Sequence, residues 1–568
     1  MIQDSHAPDL RVSQEKDTYQ TTTREKTGDV EATDSSREQE YLPLSKVIII
    51  VLAIYLAAFL VALDQTIIGV AIPKITDQFR SLSDIAWYGS AYFLTSTALQ
   101  PSYGRIYKTF NVKWGFLTAV GIFEIGSLIC GVAPSSTALI VGRAIAGIGV
   151  AGIFSGALVI ISKTVPLDKR PLVFGIYGMV WGIASIVGPL LGGAFTDGIS
   201  WRWCFYINLP VGGVSMAVII LILRFPSNND NRSIQLWNRV RELDLIGATL
   251  LISAVVCLIL ALQWGGNSYS WRSSQIIGLL VGFGVIAILF AGFQVYLDKQ
   301  DEKNAADSKR ATLPPSILKQ RTVWSAGLFA FFFSGSFFLL VYYIPIYFQS
   351  VKDSSAMTAG LQMLPFMLLT VVSSVVVGAL VTTFGYYTPF LIGSTAIAAI
   401  GTGLMTLYDI DISAGKWIGY QIIVGAGVGA GLQVPATAVQ TVLKPEDIPV
   451  GTSAVMFFQT LGGAVFLTVG QSVFQNGLIR GIDIYAPTVD ASQITGAGAT
   501  EMRKVLTQLG QLDQLDGVIL AYVVGLKDTY RVSLALMLAA LAAACFLEWK
   551  SVKKSEEDKD DTSAVSSQ

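Results

Sequence analysis

The chain has 568 residues, of which 52% are apolar or aromatic and only 14% are charged, with a formal net charge of -1. That density of charge is too low to cover a water-soluble protein of this length, so the composition points to a chain embedded in lipid. A lone histidine, His6, and four cysteines without metal or disulfide spacing exclude a His/Cys metal centre, and leave carboxylates as the only side chains for a proton relay within the membrane.

The elements follow in chain order. Residues 1–43 are polar, lack the apolar run of a signal peptide, and read as a disordered cytosolic tail. Fourteen apolar segments of spanning length come next, near 47–72, 85–107, 114–133, 137–161, 172–197, 205–225 and 244–264 in the first part. The remainder lie near 274–297, 322–349, 357–382, 387–408, 415–440, 451–475 and 528–548. A long outer loop is expected over 476–527, and residues 551–568 read as a second polar tail. Basic residues such as Arg105, Lys108, Lys113, Lys163, Lys169 and Arg170 crowd alternate loops, which places both termini in the cytosol by the positive-inside rule. Asn231 begins a glycosylation triplet, but on this topology it faces the cytosol and stays unused.

A weak repeat divides the spans. Arg143, Gly147, Gly149 and Ala151 in span four match Gln421, Gly425, Gly427 and Gly429 in span twelve at equal offsets. Equivalents eight spans apart imply two six-helix halves, 44–225 and 322–550, with two additional central helices over 226–298 and a cytosolic loop over 299–321. The expected fold is an all-α polytopic membrane protein.

Polar residues inside the spans carry the functional expectations. Asp64 interrupts span one, and a carboxylate at that depth has to be protonated, paired or wetted, which suggests a proton- or substrate-linked role facing a central cavity. Arg143 is a permanent cation near the start of span four; it either favours the ionised form of a nearby acid or snorkels to the outer surface. Glu124 in span three is either a second proton site or a structural hydrogen-bonding group. Gln421, Gln433 and Gln459 either recognise polar groups of a substrate or bond neighbouring helices, and Phe337 and Tyr342 in the aromatic span nine are candidates for a stacking wall. In span five, Gly175, Gly178, Gly182, Ser185, Pro189 and Gly192 recur at helical spacing, a small-residue stripe that permits close, movable helix contact. Pro435 marks a kink in span twelve.

Four stretches together resemble the fourteen-span drug:proton antiporter family of the major facilitator superfamily, in the manner of fungal toxin and multidrug efflux pumps. They are LDQTIIGVAIPKI from Leu63, LIVGRAIAGIGVAG around Arg143, GPLLGG from Gly188 with the WRWCFYINLPVG continuation, and YYIPIYFQSVKDSSAMTAGLQMLP from Tyr342. The resemblance, over roughly residues 45 to 550, implies the major facilitator fold, proton coupling through Arg143 beside the carboxylates Asp64 and Glu124 read above, and a conformational motif at Gly182, Gly188, Pro189, Gly192 and Gly193. It also implies a cytosolic latch at Gly104 and Lys113, but Lys108 stands where the family usually has an aspartate and Asn111 where it has a glycine, so the latch must work differently here. The implied activity is export of small amphipathic organic compounds against protons by alternating access, by a monomer in the plasma membrane or the vacuolar membrane, with no cofactor, no metal and no nucleic-acid partner. Import of iron chelates or vacuolar transport of basic amino acids are the rival cargoes.

Overall fold

The computed structural model describes residues 43–79, 84–223, 243–266, 269–303, 310–497 and 502–553. The two polar tails, His6 and the Asn231 triplet lie outside the described residues. Among those described, fourteen long helical segments account for nearly all regular structure. They are α1 (Leu44–Phe79), α2 (Ile85–Thr109), α3 (Val112–Val132), α4 (Ser136–Thr164), α5 (Arg170–Gly198), α6 (Asn208–Ile222), α7 (Leu245–Trp264) and α8 (Ser274–Lys303). There follow α9 (Arg321–Ser350), α10 (Leu364–Phe384), α11 (Thr388–Met405), α12 (Ala414–Gly431, continued by Val434–Val442), α13 (Ile448–Tyr485) and α14 (Leu515–Cys545). Thirteen are apolar enough to be recognised as membrane spans by hydropathy alone. The fourteenth, α2, is long enough but carries buried Ser96, Thr97, Gln100 and Arg105 among its apolar residues.

Several expected boundaries change. The loop expected over 476–527 is shorter, because α13 runs on to Tyr485 and α14 begins at Leu515. Small residues permit this extension: a Cβ on Gly481 would sit 2.6 Å from the Ala521 Cα, so the two backbones touch beyond the expected span ends. Span twelve breaks at Leu432–Gln433, one turn before the expected kink residue; Pro435 occupies the first turn of the new helix, where its missing N–H costs nothing. Cys545 is exposed, whereas Cys130 and Cys204 are buried as expected of small hydrophobes.

Helix contacts repeat with an offset of eight. α1 packs on α5 and α6, α2 on α4, and α3 on α4 and α6; correspondingly α9 packs on α13 and α14, α10 on α12, and α11 on α12 and α14. The repeated glycines are the reason. Gly147 presses on α2 at the Tyr92 carbonyl oxygen, and Gly425 presses on α10 at that of Phe366. Gly149 meets the backbone of α3 at Phe123, and Gly427 that of α11 at Ala398. At all four positions a Cβ would collide with the facing helix, so each pair allows a backbone approach that no larger side chain would permit. The two sets of six join along two seams that the repeat interchanges, α2 against α13 and α5 against α10.

The hairpin α7–α8 stands outside both sets. α8 exposes Val281, Val285, Ile288 and Leu289, a surface suited to lipid, while α7 leans on α2 and α13. The end of the hairpin is tied to the stretch of chain that leads into α9. Asp244 accepts hydrogen bonds from Gln294 Nε2 (2.6 Å), Thr312 N (3.1 Å) and Thr312 Oγ1 (3.0 Å). Asp298 accepts from Ser316 N and Oγ (2.9 and 2.8 Å), and Asp301 from Arg310 N and Nε (2.6 and 2.8 Å). These acids are buried, and their bonds to backbone N–H groups satisfy a segment that has no helix to satisfy it.

Candidate functional site: a buried ion pair beside a central cavity

α1 and α4 bring Asp64 and Arg143 together. An Arg143 Nη donates to Asp64 Oδ2, and both side chains are about 1% exposed. Two further features hold the guanidinium: its Nε donates to the Tyr88 carbonyl oxygen (2.8 Å), and its Cζ lies 4.2 Å from the Tyr92 ring centroid. The other Asp64 oxygen faces Asn208 of α6, whose Nδ2 lies 3.5 Å from Oδ1 and also donates to Ser127 Oγ at 3.1 Å. Arg143 therefore does not snorkel to the surface. It is a buried cation paired with the carboxylate, the compensation that either charge requires at this depth.

Glu124 lies one turn before Ser127 on α3 and packs against Gly212, one turn beyond Asn208 on α6. It is 6% exposed, and neither carboxyl oxygen has a hydrogen-bond partner among the described residues. Asn208, Ser127 and Tyr92 were not expected at the site. Each is polar and lies within an apolar span, the same signal that drew attention to Asp64, but neutral groups are too common in membrane helices for that signal to select them.

A cavity of about 400 Å³ lies between the two sets of helices, within the range of small-molecule sites. Arg143 reaches its wall, while Asp64 stands behind Arg143 and Gln65 rather than facing the cavity as expected. Gln433, Gln459, Phe337 and Tyr342 line it, together with Trp181, Phe154 and Tyr177, which sequence reasoning missed. Trp181 and Phe154 stack at 5.9 Å, joining α5 to α4 at the wall. Gln421 is absent from the lining: it is fully buried in α12 at the position that repeats Arg143, so its amide lies among helices. Among the described residues, Arg143 is the only charged one in the lining.

The span-five stripe divides between two partners. Gly175, Gly178 and Gly182 press on Ser374 and Val371 of α10, whereas Gly188 presses on Thr66 of α1, at its hydroxyl. Gly192 is buried, Pro189 lies within the helix, and Gly193 has no atom within 4 Å of where a Cβ would stand. Between Gly175 and Gly188 the helix turns its small face from one neighbour to the other, so α5 contacts its own half and the opposite half at once.

The halves are fastened at the end that carries the α2–α3 and α12–α13 connections. Lys108 Nζ donates to Asp447 Oδ1 at 2.7 Å, and a Cβ on Gly104 would sit 2.8 Å from Ser453 Cβ. On the repeat-related seam, Leu172 N donates to Thr382 Oγ1 (3.2 Å) and Gly378 meets the Pro171 carbonyl oxygen. Arg170 donates to Gln440 Oε1 at 3.3 Å. Lys113, the other expected latch residue, instead donates to the Ile220 carbonyl oxygen (2.7 Å) within the first half. Toward the opposite end, Gly69, Gly89 and Gly193 have nothing within 4 Å of where a Cβ would stand.

The family model described as Major Facilitator Superfamily matches residues 54–244 and 237–467. The MFS-type efflux pump MFS1 of Arthroderma benhamiae is 50% identical over 510 residues, covering 89% of this chain and 92% of that protein. The efflux pump aflT of Aspergillus parasiticus is 45% identical over 522 residues, covering 92% and 99% respectively. The MFS-type transporter astH of Aspergillus oryzae is 46% identical over 514 residues, covering 90% and 88%. Among solved structures, the human organic anion transporter MFSD10 aligns with a TM-score of 0.57 at 12% identity, covering 89% of this chain and 100% of that one. The proton:xylose symporter XylE aligns with a TM-score of 0.55 at 14% identity, covering 92% and 99%. Repeat, seams, ion pair and sequence agree, and the chain belongs to the major facilitator superfamily as a multi-pass membrane transporter.

Proposed function

We propose that this protein exports small amphipathic organic compounds, of the secondary-metabolite or toxin class, in exchange for protons. The observation that carries the reading is the buried Asp64–Arg143 pair at the wall of a cavity lined mainly by apolar and aromatic groups. Two relatives described as efflux pumps support the direction. With both termini in the cytosol, the fastened end is the cytosolic one, and the structure corresponds to a conformation closed on that side. Protonation of Asp64 removes the countercharge of Arg143 and leaves the guanidinium to Tyr88, Tyr92 and the cavity. The unpaired charge disfavours an amphipathic body at this largely apolar wall, whereas release of the proton re-forms the pair and restores the wall, so proton and cargo exclude one another, as antiport requires. Glu124, whose oxygens have no hydrogen-bond partner among the described residues, is assigned as a second protonation site that communicates through Ser127 and Asn208. The glycine contacts of α5 permit the two halves to rock about the cavity.

The rival cargo of basic amino acids fits poorly, because the lining is mainly apolar and aromatic and, among the described residues, holds no carboxylate to pair a compact ammonium group. The test is reconstitution in liposomes with an imposed proton gradient and a fluorescent amphipathic dye. Dye movement that follows the gradient, and proton flux stimulated by dye, support antiport. Dye movement indifferent to the gradient would sink it. Monomeric function in the plasma membrane belongs to the same proposal, and is read by size in detergent and by microscopy.

A further inference from the structure

The two seams between the halves are related by the repeat but are not built alike. The α5–α10 seam is closed directly, by Gly175, Gly178, Gly182 and Gly378 pressed onto the facing backbone or side chains. The α2–α13 seam is joined at Gly104 and Lys108 and by Thr460 Oγ1 donating to Gln100 Oε1 at 3.0 Å, and α7 lies against both of its helices. Leu251, Val255 and Ile259 of α7 form one apolar cluster with Ala98 of α2 and Ala454 and Phe457 of α13. Further along, Trp264 meets Trp87 of α2 edge-on, with ring centroids 6.4 Å apart. Between these anchors, Ile259, Leu262 and Gln263 reach the cavity. The Gln263 amide forms no hydrogen bond to a described residue, although the side chain is half-buried.

We infer that the inserted hairpin is part of the cargo site: α7 is a third wall, and Gln263 is a specificity-determining residue. Ile259 and Leu262 offer apolar contact, and the amide offers one donor and one acceptor at the same wall. The chemistry selects an amphipathic cargo with an apolar body and a carbonyl, ester or hydroxyl group placed toward α7. An uncoordinated amide rejects bodies that lack such a group, because it would lose its water without replacement.

This inference rests on the export reading, and its test separates the two. Gradient-driven export of rhodamine 6G, which carries an ester carbonyl, and of tetraphenylphosphonium, which has no hydrogen-bonding group, is compared in the same liposomes. In Gln263→Leu, rhodamine 6G export falls about fivefold relative to tetraphenylphosphonium, the loss of one hydrogen bond. Ile288→Ala, on the exposed face of α8, leaves the ratio unchanged. In parallel, Gln263→Cys is labelled with a membrane-impermeant methanethiosulfonate reagent and read by mass spectrometry at residue 263, with and without rhodamine 6G. Slower labelling in the presence of the dye, with none of that effect at Arg272→Cys in the exposed α7–α8 connection, supports the third wall whether or not the dye is carried across. An unchanged export ratio in Gln263→Leu, or labelling that the dye does not slow, overturns the role of α7. Failure of the unsubstituted protein to export either compound overturns the export reading and leaves the labelling result to decide the wall.

Discussion

At the scale of single residues, Asp64 and Arg143 are bound to each other before they are bound to any transport event. Asp64→Asn leaves a buried guanidinium without its countercharge, and breaking such a pair costs about 3–5 kcal/mol. We expect a lowered melting temperature in detergent together with loss of gradient-driven export. The double variant Asp64→Asn/Arg143→Gln should recover most of the thermal stability and none of the coupling. If the double variant exports normally, the pair is structural. Glu124 behaves differently, because its oxygens meet no hydrogen-bond donor among the described residues. Glu124→Gln preserves size and burial, so folding and surface expression should be kept while the dependence of export on external pH flattens. An unaltered pH profile would remove Glu124 from the proton path. Asp64, Arg143 and Glu124 were legible in the sequence because a charge in an apolar run is conspicuous. Asn208, Ser127 and Tyr92 were not, since neutral polar groups are ordinary in such helices and only the three-dimensional meeting of α1, α3 and α6, and of α2 with α4, singles them out.

At the scale of elements, the Lys108 loop that departs from the family pattern has an evident replacement. A cation on α2 meets an anion at the start of α13, where an aspartate also lies favourably beside the helix N-terminus. The pair is partly exposed, so its worth is about 1 kcal/mol or less and its role is to bias a conformational equilibrium rather than to hold the fold. Lys108→Asp should slow export several-fold, and Lys108→Asp/Asp447→Lys should restore much of it; no recovery in the exchanged pair would deny the latch. The α5 stripe makes an equally sharp comparison. Gly188→Leu has to displace Thr66 and the α1 backbone near Ile67, whereas Gly193→Ala enters open space. Export should be abolished by the first and kept by the second, with both proteins reaching the membrane. The spacing of the glycines was readable, but their division between α10 and α1 was not, because the sequence carries no sign of which neighbour each turn will meet.

At the scale of the whole molecule, the offset of eight was readable from three small residues in each of two spans, and the helix contacts repeat with the same offset. The composition revealed the spans, and hydropathy alone would have missed α2, whose polar residues face protein and the cavity rather than lipid. The extension of α13 and α14 was hidden for the opposite reason: Arg480, which pairs with Asp528 across them, looks like a loop charge in sequence. The insertion of α7–α8 was visible only as a count, with no indication that one of its helices would reach the centre. Its attachment carries a further consequence. Asp244, Gln294, Asp298 and Asp301 hold residues 310–316, the entry to the second set of six, by buried hydrogen bonds. The hairpin is thus hydrogen-bonded to the second set of six, while its contact with α2 of the first set is apolar and free to slide, which makes the two bodies of the proposed rocking motion unequal, six helices against eight. Spin labels at residue 288 should keep their distance to α9–α14 throughout the cycle while their distance to α1–α6 changes. In the proposed cycle each turn would draw α7 across α2 like a shutter, redrawing the cargo chamber on one flank without any motion of the hairpin relative to its own carrier.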